Sequence, residues 1–178
     1  MPKTQKLLDE VTIRFAGDSG DGMQLSGTQF SNTSGTIGND VNTFPDYPSE
    51  IRAPEGTLYG VSAYQIQFGS KRVHTPGNKI DVLVAMNASS LKVNLPNVRK
   101  GGIIIANTSG FDSRNLKLAK YDENPLKDGS LDDYQLFPVD ITTLVQEELK
   151  GSKMRTKDVT RTKNMFALGL VYWLFDRP

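Results

Sequence analysis

The chain has 178 residues, 37% of them hydrophobic and 23% charged, with 16 glycines and a net charge of +1. That length suits one domain with a sizeable core, and the near-zero charge leaves no electrostatic footprint for nucleic acid or a membrane surface. No cysteine is present, which excludes disulfides, thiolate-held iron–sulfur clusters and a thiol nucleophile within this sequence. A single histidine, His74, leaves little scope for zinc or imidazole chemistry. No apolar run reaches about 18 residues, and no apolar stretch follows the opening residues as in a secretory signal, so a cytoplasmic setting is expected.

In chain order, residues 1–10 are read as an N-terminal extension and 11–178 as one domain. The apolar run at 11–16 predicts a strand, and 23–36 a helix on which Met23, Phe30 and Ile37 share a face at sevenfold spacing. This helix is rich in Ser, Thr and Gly, so packing rather than propensity must hold it, and Gly38 is its expected stop. A second strand is expected at 39–44, then a long irregular loop with three prolines at 45–60. Residues 61–68 alternate with a slip and predict a half-exposed strand, which 71–75 could extend. Continuous apolar runs at 81–86 and 102–107 predict buried strands, with Asn87 capping a helix at 88–95 and a short helix at 113–120. A strand at 134–139 and a helix at 142–150 follow. Residues 163–175 are apolar nearly all round, as in a core helix or a docking surface. No repeat or low-complexity tract is visible. Strands alternating with helices predict an α/β, three-layer, Rossmann-like domain, with a mostly parallel sheet and helices on both faces.

The hexapeptide Gly17-Asp18-Ser19-Gly20-Asp21-Gly22 stands between the first strand and the first helix. Strand, glycine turn and helix together aim backbone N–H groups and a helix N-terminus at one spot, which suits a phosphate or another anion. The spacing is G-x-x-G-x-G and not the dinucleotide fingerprint G-x-G-x-x-G. Topology would place a ligand there, at the carboxyl ends of the strands. Gly17-Asp18-Ser19-Gly20 also reads like a trypsin-type nucleophile segment, but His74 follows Ser19 and the alternating pattern is wrong for that fold. Gly20-Asp21-Gly22 looks like the start of a thiamine-diphosphate motif, yet no Asn-Asn pair exists to complete its Mg²⁺ site.

Four segments together resemble the 2-oxoacid:ferredoxin oxidoreductases: the run through residues 11–24, Pro48-Ser-Glu-Ile-Arg-Ala-Pro-Glu-Gly-Thr, Asp81-Val-Leu-Val-Ala-Met-Asn and Lys163-Asn-Met-Phe-Ala-Leu-Gly-Leu. The likeness is to the gamma domain, in the form fused to the front of the alpha subunit, and within the family to the 2-oxoglutarate enzymes. It implies a reaction in which a 2-oxoacid and coenzyme A give an acyl-CoA, with electrons passed to ferredoxin. It also implies that thiamine diphosphate, Mg²⁺ and an iron–sulfur cluster do the hard chemistry on other domains or subunits. The partners it implies are a thiamine- and cluster-binding beta subunit, an alpha-type pyrimidine domain and ferredoxin. The isolated chain is then expected to be inactive, and to support assembly and a partial coenzyme A site. Separate gamma subunits of the family carry a G-x-G-G-Q-G type of first loop, whereas here Asp18 and Asp21 place two carboxylates in it.

The candidate binding residues are Gly17, Asp18, Ser19, Gly20, Asp21 and Gly22 with Glu50 and Arg52 from the proline-rich loop; no catalytic or metal-ligating residue is assigned. Arg52 is read as an anion ligand or as the ion-pair partner of Glu50. Ser19 and Asp21 are read as helix caps or ligand contacts, and the carboxylates as caps, as partners of Arg52 or as contacts to another chain. His74 is read as a loop residue, and Lys163 and Asn164 as docking or capping the last helix. The alternatives are a stand-alone nucleotide- or anion-binding module and a domain that serves assembly alone.

Overall fold

The computed structural model describes residues 8–50 and 52–178, so most of the expected N-terminal extension lies outside it. Six strands form one sheet: β1 (Glu10–Asp18), β2 (Asp40–Asp46), β3 (Val61–Gly69), β4 (Ile80–Ala85), β5 (Val98–Asn107) and β6 (Gln135–Val139). Their order is β2-β3-β1-β4-β5-β6. Strands β1, β4, β5 and β6 pair in parallel, and β3 runs antiparallel to both β1 and β2. The helices are α1 (Met23–Thr36), α2 (Ala88–Asn94), α3 (Ser113–Leu118), α4 (Ile141–Glu148), α5 (Thr156–Arg161) and α6 (Lys163–Leu174). The three-layer α/β reading therefore holds. Helix α5 was not anticipated from the sequence; it is short and polar outside its one buried residue, Val159.

The continuous apolar runs are continuous because helices cover both faces of the sheet. In β4, Val82 and Val84 join the core under α1, α4 and α6, while Leu83 and Ala85 join the core under α2. The same logic corrects the expectation for β3, which is buried on both faces. Ile66 and Phe68 enter the first core and Ala63 the second. Gln65 points to the α2 side and donates to the carbonyls of Pro76 and Gly77 at 2.8 and 2.6 Å. Residues 71–75 do not extend the strand, and Val73 N–H instead donates to Asp40 Oδ2 at 2.7 Å. Both edge strands carry a proline, Pro45 in β2 and Pro138 in β6, which removes a donor from each exposed edge.

Helix α1 buries Met23, Ser26, Gly27, Phe30 and Ser34, a stripe at helical spacing made largely of small residues. The Tyr64 ring occupies the space where a side chain on Gly27 would stand, so the poor helix former is there to let the sheet approach. Ile37 departs from the expected face: it is 44% exposed, because it is the C-cap and no longer follows the helix. Gly38 closes the helix as expected, with φ 92°. Its N–H donates to Gly35 O and the Asn39 N–H to Ser34 O, both at 3.0 Å. Helix α6 is a core helix on one side and leaves apolar residues exposed on the other. Asn164, Ala167, Leu168 and Val171 are buried, and Met165 and Trp173 keep 39% and 63% exposure.

Candidate functional site

Strand β1 ends at Asp18, and the turn that follows is closed by its own acids. The Asp21 N–H donates to Asp18 O at 2.9 Å, and Asp21 Oδ2 accepts the Asp18 N–H at 3.0 Å. Asp21 Oδ1 pairs with Lys163 Nζ at 2.6 Å, with side chains 12% and 19% exposed. Next along α6, Asn164 Nδ2 donates to Gly22 O at 3.4 Å and Asn164 O accepts the Ser26 hydroxyl at 3.1 Å. The first turn of α6 is thereby clasped onto the glycine turn, which is the docking role expected of Lys163 and Asn164. No side chain caps α1: its N-cap is Gly22 at φ 75°. Ser19 and Asp21 therefore cap nothing.

The glycines of the turn differ in need. A side chain on Gly22 would meet the Asn164 amide, and a Cβ on Gly17 would stand 2.7 Å from Asp21 Oδ2. Gly20 has open space around it and no positive φ, so the backbone does not require glycine there.

Asp18 faces the proline-rich loop. Both its carboxylate oxygens accept the Gly56 N–H at 3.1 Å. Burial, and then the neighbouring Asp21, raise its carboxyl above the ordinary range; the Gly56 N–H and the Asn87 side chain act in the opposite sense. Gly56 itself is buried at φ 81°, and its carbonyl accepts the Ser89 hydroxyl. At the other end of the loop, Asp46 pairs with the buried Arg14, and its carbonyl accepts Gln24 Nε2 at 3.3 Å. The loop is thus tied at both ends to β1, α1 and α2. Glu50 and Arg52 lie in its middle, exposed, and among the described residues no ion pair joins them.

A cavity of about 300 Å³ opens at the carboxyl ends of β1, β4 and β5. Asp18, Asp21, Asn87, Asn107, Arg114 and Lys163 are among its lining residues, and Glu50 and Arg52 are not. It lies where β1 and β4 part: the chain leaves β1 through α1 on one face of the sheet and β4 through α2 on the other. That is the switch point at which open α/β sheets bind ligands. Asn87 caps α2 as expected, its Oδ1 accepting the Ser90 N–H at 2.8 Å while the Ser90 hydroxyl accepts the Asn87 N–H at 3.1 Å. Asn107 Nδ2 donates to Met86 O at 3.2 Å and to Thr142 Oγ1 at 3.1 Å, joining β4, β5 and α4. Asp140 caps α4 and accepts the Ser109 hydroxyl, which with burial working against it holds its carboxyl below the ordinary range.

Sequence reasoning placed Asp18 and Asp21 here. It missed Asn107, Arg114, Asn115 and Thr142 as lining residues, and saw Asn87 only as a cap. For Asn87 and Asn107 a signal existed: each is the first polar residue after the apolar run of a buried parallel strand. Arg114 and Asn115 come from a short helix whose position follows only from the tertiary fold. Among the described residues, no group of three or more His, Asp or Glu is placed to hold a metal ion, and no helix is long and apolar enough to cross a membrane.

Fold and cavity define a doubly wound α/β domain with a polar crevice at its switch point. Residues 12–177 match the family of pyruvate ferredoxin/flavodoxin oxidoreductases, and the chain belongs to that family. Over 176 residues, 99% of this chain, it is 48% identical to the 2-oxoglutarate oxidoreductase subunit KorA of Mycobacterium tuberculosis. It is 33% identical over 103 residues, 58% of this chain, to the ketoisovalerate oxidoreductase subunit VorA of Methanothermobacter marburgensis. The chain spans only 27% and 20% of those two relatives. The fold is shared with the 2-oxoglutarate:ferredoxin oxidoreductase of Magnetococcus marinus, solved with 2-oxoglutarate, coenzyme A and succinyl-CoA. There the TM-score is 0.69 at 23% identity, covering 93% of this chain and 24% of that one. The gamma subunit of a keto/oxoacid ferredoxin oxidoreductase from Geobacter sulfurreducens gives a TM-score of 0.64 at 17% identity, with 93% and 75% coverage.

Proposed function

We propose that this chain is the gamma-type domain of a 2-oxoacid:ferredoxin oxidoreductase acting on 2-oxoglutarate, and that it forms part of the coenzyme A side of that enzyme. The observation that carries the reading is the 48% identity to a 2-oxoglutarate oxidoreductase subunit across 99% of the chain. The cavity at the switch point supports the coenzyme A part of it, as does the coenzyme A in the Magnetococcus marinus structure. In this reading residues 11–178 are one gamma-type domain of a cytoplasmic enzyme. Its partners are a thiamine- and cluster-binding beta subunit, an alpha-type pyrimidine domain and ferredoxin.

The donor set here does not suit the redox cofactors of such an enzyme. The sequence has no cysteine for a cluster, and the described residues hold no metal-binding group for thiamine's Mg²⁺. Those groups belong to the partners, and the isolated chain catalyses nothing. The test is co-expression with the candidate beta subunit and assay of 2-oxoglutarate- and coenzyme A-dependent dye or ferredoxin reduction. Activity in the complex and none in the chain alone is the expected result. Turnover by the isolated chain, or a complex indifferent to coenzyme A, would falsify the proposal.

A further inference from the structure

Helix α6 packs between α1 and α4 on one face of the sheet, and a helix so placed ordinarily turns a polar side to solvent. This one does not. After Asn164 it carries no charged or carboxamide side chain. Its exposed side is a row at every fourth position, Met165, Gly169 and Trp173, and the row continues back through Arg161 and Lys157 of α5. The two helices stay in step because they join through Thr162, whose carbonyl accepts the Met165 N–H at 2.9 Å. Rows of this kind are the ridges by which helices pack on one another.

Gly169 is the informative member. A side chain there would meet nothing of this chain within 4 Å, and its φ is not positive. Glycine is also among the poorest helix formers. Nothing within the chain calls for it, whereas a bulky group from outside can reach the helix backbone there, between Met165 and Trp173. Gly27 of α1, whose missing side chain makes room for the Tyr64 ring, shows the same device used internally. Methionine and tryptophan are also residue types enriched where proteins meet.

Size and charge choose the occupant. The row from Lys157 to Trp173 is about 25 Å long and one helix, about 10 Å, wide. That is well under the roughly 800 Å² a side of a stand-alone interface. It suits one helix of a polypeptide already held in the same assembly, for which tethering supplies a high effective concentration. The basic end of the row sets the charge. Beyond Glu147 and Glu148, the exposed Lys150, Lys153, Arg155, Lys157 and Arg161 are set against Asp158 alone, in a chain whose net charge is only +1. An acidic flank is the complement.

We propose that this row seats one helix from the remainder of the oxidoreductase. That helix is apolar where it meets Met165, Gly169 and Trp173, sets a large side chain over Gly169, and carries acidic residues beside Lys157 and Arg161. The inference rests on the oxidoreductase reading above. The chain spans only 27% of its 2-oxoglutarate relative, which leaves ample polypeptide to supply such a helix.

The experiment compares the intact oxidoreductase complex with this chain alone by hydroxyl-radical footprinting. Met165 and Trp173, the one tryptophan of the chain, should be oxidised at least about fivefold more slowly in the complex, as interface cores exclude water. Carbodiimide, which joins an amine to a touching carboxylate, should link Lys157 to an aspartate or glutamate on a helical segment elsewhere in the complex. Gly169→Leu should leave the melting point of the chain alone unchanged or raised. The same substitution should raise the concentration at which the complex half-dissociates by at least about tenfold. Lys157→Glu combined with Arg161→Glu should also weaken the complex, more strongly at low salt. Equal oxidation of Met165 and Trp173 in complex and chain overturns the proposal, as does a Gly169→Leu complex as tight as the wild type. A complex that gives either result and still turns over 2-oxoglutarate leaves the oxidoreductase reading standing. A Lys157 link to a second copy of this chain overturns the proposal too. A chain that enters no complex removes both.

Discussion

Lys163→Met tests the clasp between α6 and the glycine turn. The substitution keeps the aliphatic length of the side chain and removes only the charge that meets Asp21 at 2.6 Å. An exposed pair is worth about 0–1 kcal/mol, and stranding one partner of a fully buried pair costs about 3–5 kcal/mol. With the two side chains 12% and 19% exposed, the pair stands between those limits, and a loss of about 2 kcal/mol is expected. Asp21→Asn should cost less, about 1 kcal/mol, because the amide oxygen can still accept the Asp18 N–H and the lysine can turn to water. The double variant strands no charge. Its loss should fall short of the sum of the singles by about 1 kcal/mol or more.

Urea unfolding of the four proteins at constant pH and salt gives all three differences. If the two single losses simply add, the charges do not act on each other and the clasp is a matter of packing alone. That result would refute the electrostatic argument. The Asn164 contacts to Gly22 and Ser26 would then be the ones that join α6 to the turn.

Within the turn, Gly22→Ala should cost about 1–2 kcal/mol from the left-handed backbone alone, with a further loss from the Asn164 amide in its way, while Gly20→Ala should be neutral or gain up to about 1 kcal/mol; equal melting points for the two variants would contradict the geometry. Phe30 is fully buried, with ring centroids of Phe68, Tyr172 and Phe175 at 5.2, 5.9 and 6.1 Å. Phe30→Ala should therefore cost about 3–5 kcal/mol in the same urea assay, and a loss under about 1 kcal/mol would mean the cluster collapses to fill the hole. Asp18 gives a pH signature. Its folded pKa lies above the ordinary carboxylate range, so the native state holds that proton more tightly than the unfolded chain. Its ionised form therefore weighs against folding at neutral pH, and lowering the pH through the raised folded value toward the ordinary carboxylate range should stabilise the wild type relative to Asp18→Asn. A stability difference between the two that stays flat with pH would count against a raised carboxyl.

What was legible in the sequence is what local pattern carries. The runs at 81–86 and 102–107 announce strands buried on both sides, and they become the adjacent β4 and β5. Met23 and Thr36 bound the first helix as expected because Gly22 and Gly38 punctuate it with positive φ. The slip in 61–68 was the visible trace of a strand covered on both faces, misread as half-exposed because Gln65 and Gln67 look like solvent residues. They are buried instead, Gln65 against the loop carbonyls of Pro76 and Gly77, and only the tertiary path of 70–79 supplies those partners. The site was legible to the same degree. Asp18 and Asp21 sit within a motif, whereas Lys163 reaches Asp21 from a helix that begins over a hundred residues later.

The pairing of Lys163 with Asp21 changes what a glycine-rich turn means in this chain. Strand, turn and helix ordinarily present free N–H groups to an anion. Here Asp21 accepts the Asp18 N–H and is neutralised by Lys163, while Asp18 is turned outward to the Gly56 N–H. The turn thus becomes a junction of β1, α1, α6 and the proline-rich loop, and what it offers the cavity is a carboxylate acceptor. A residue that both holds Gly56 and faces the cavity couples loop position to cavity chemistry. Ser89 holds the same residue from α2, its hydroxyl donating to the Gly56 carbonyl, so the loop is anchored to both β1 and α2 through Gly56.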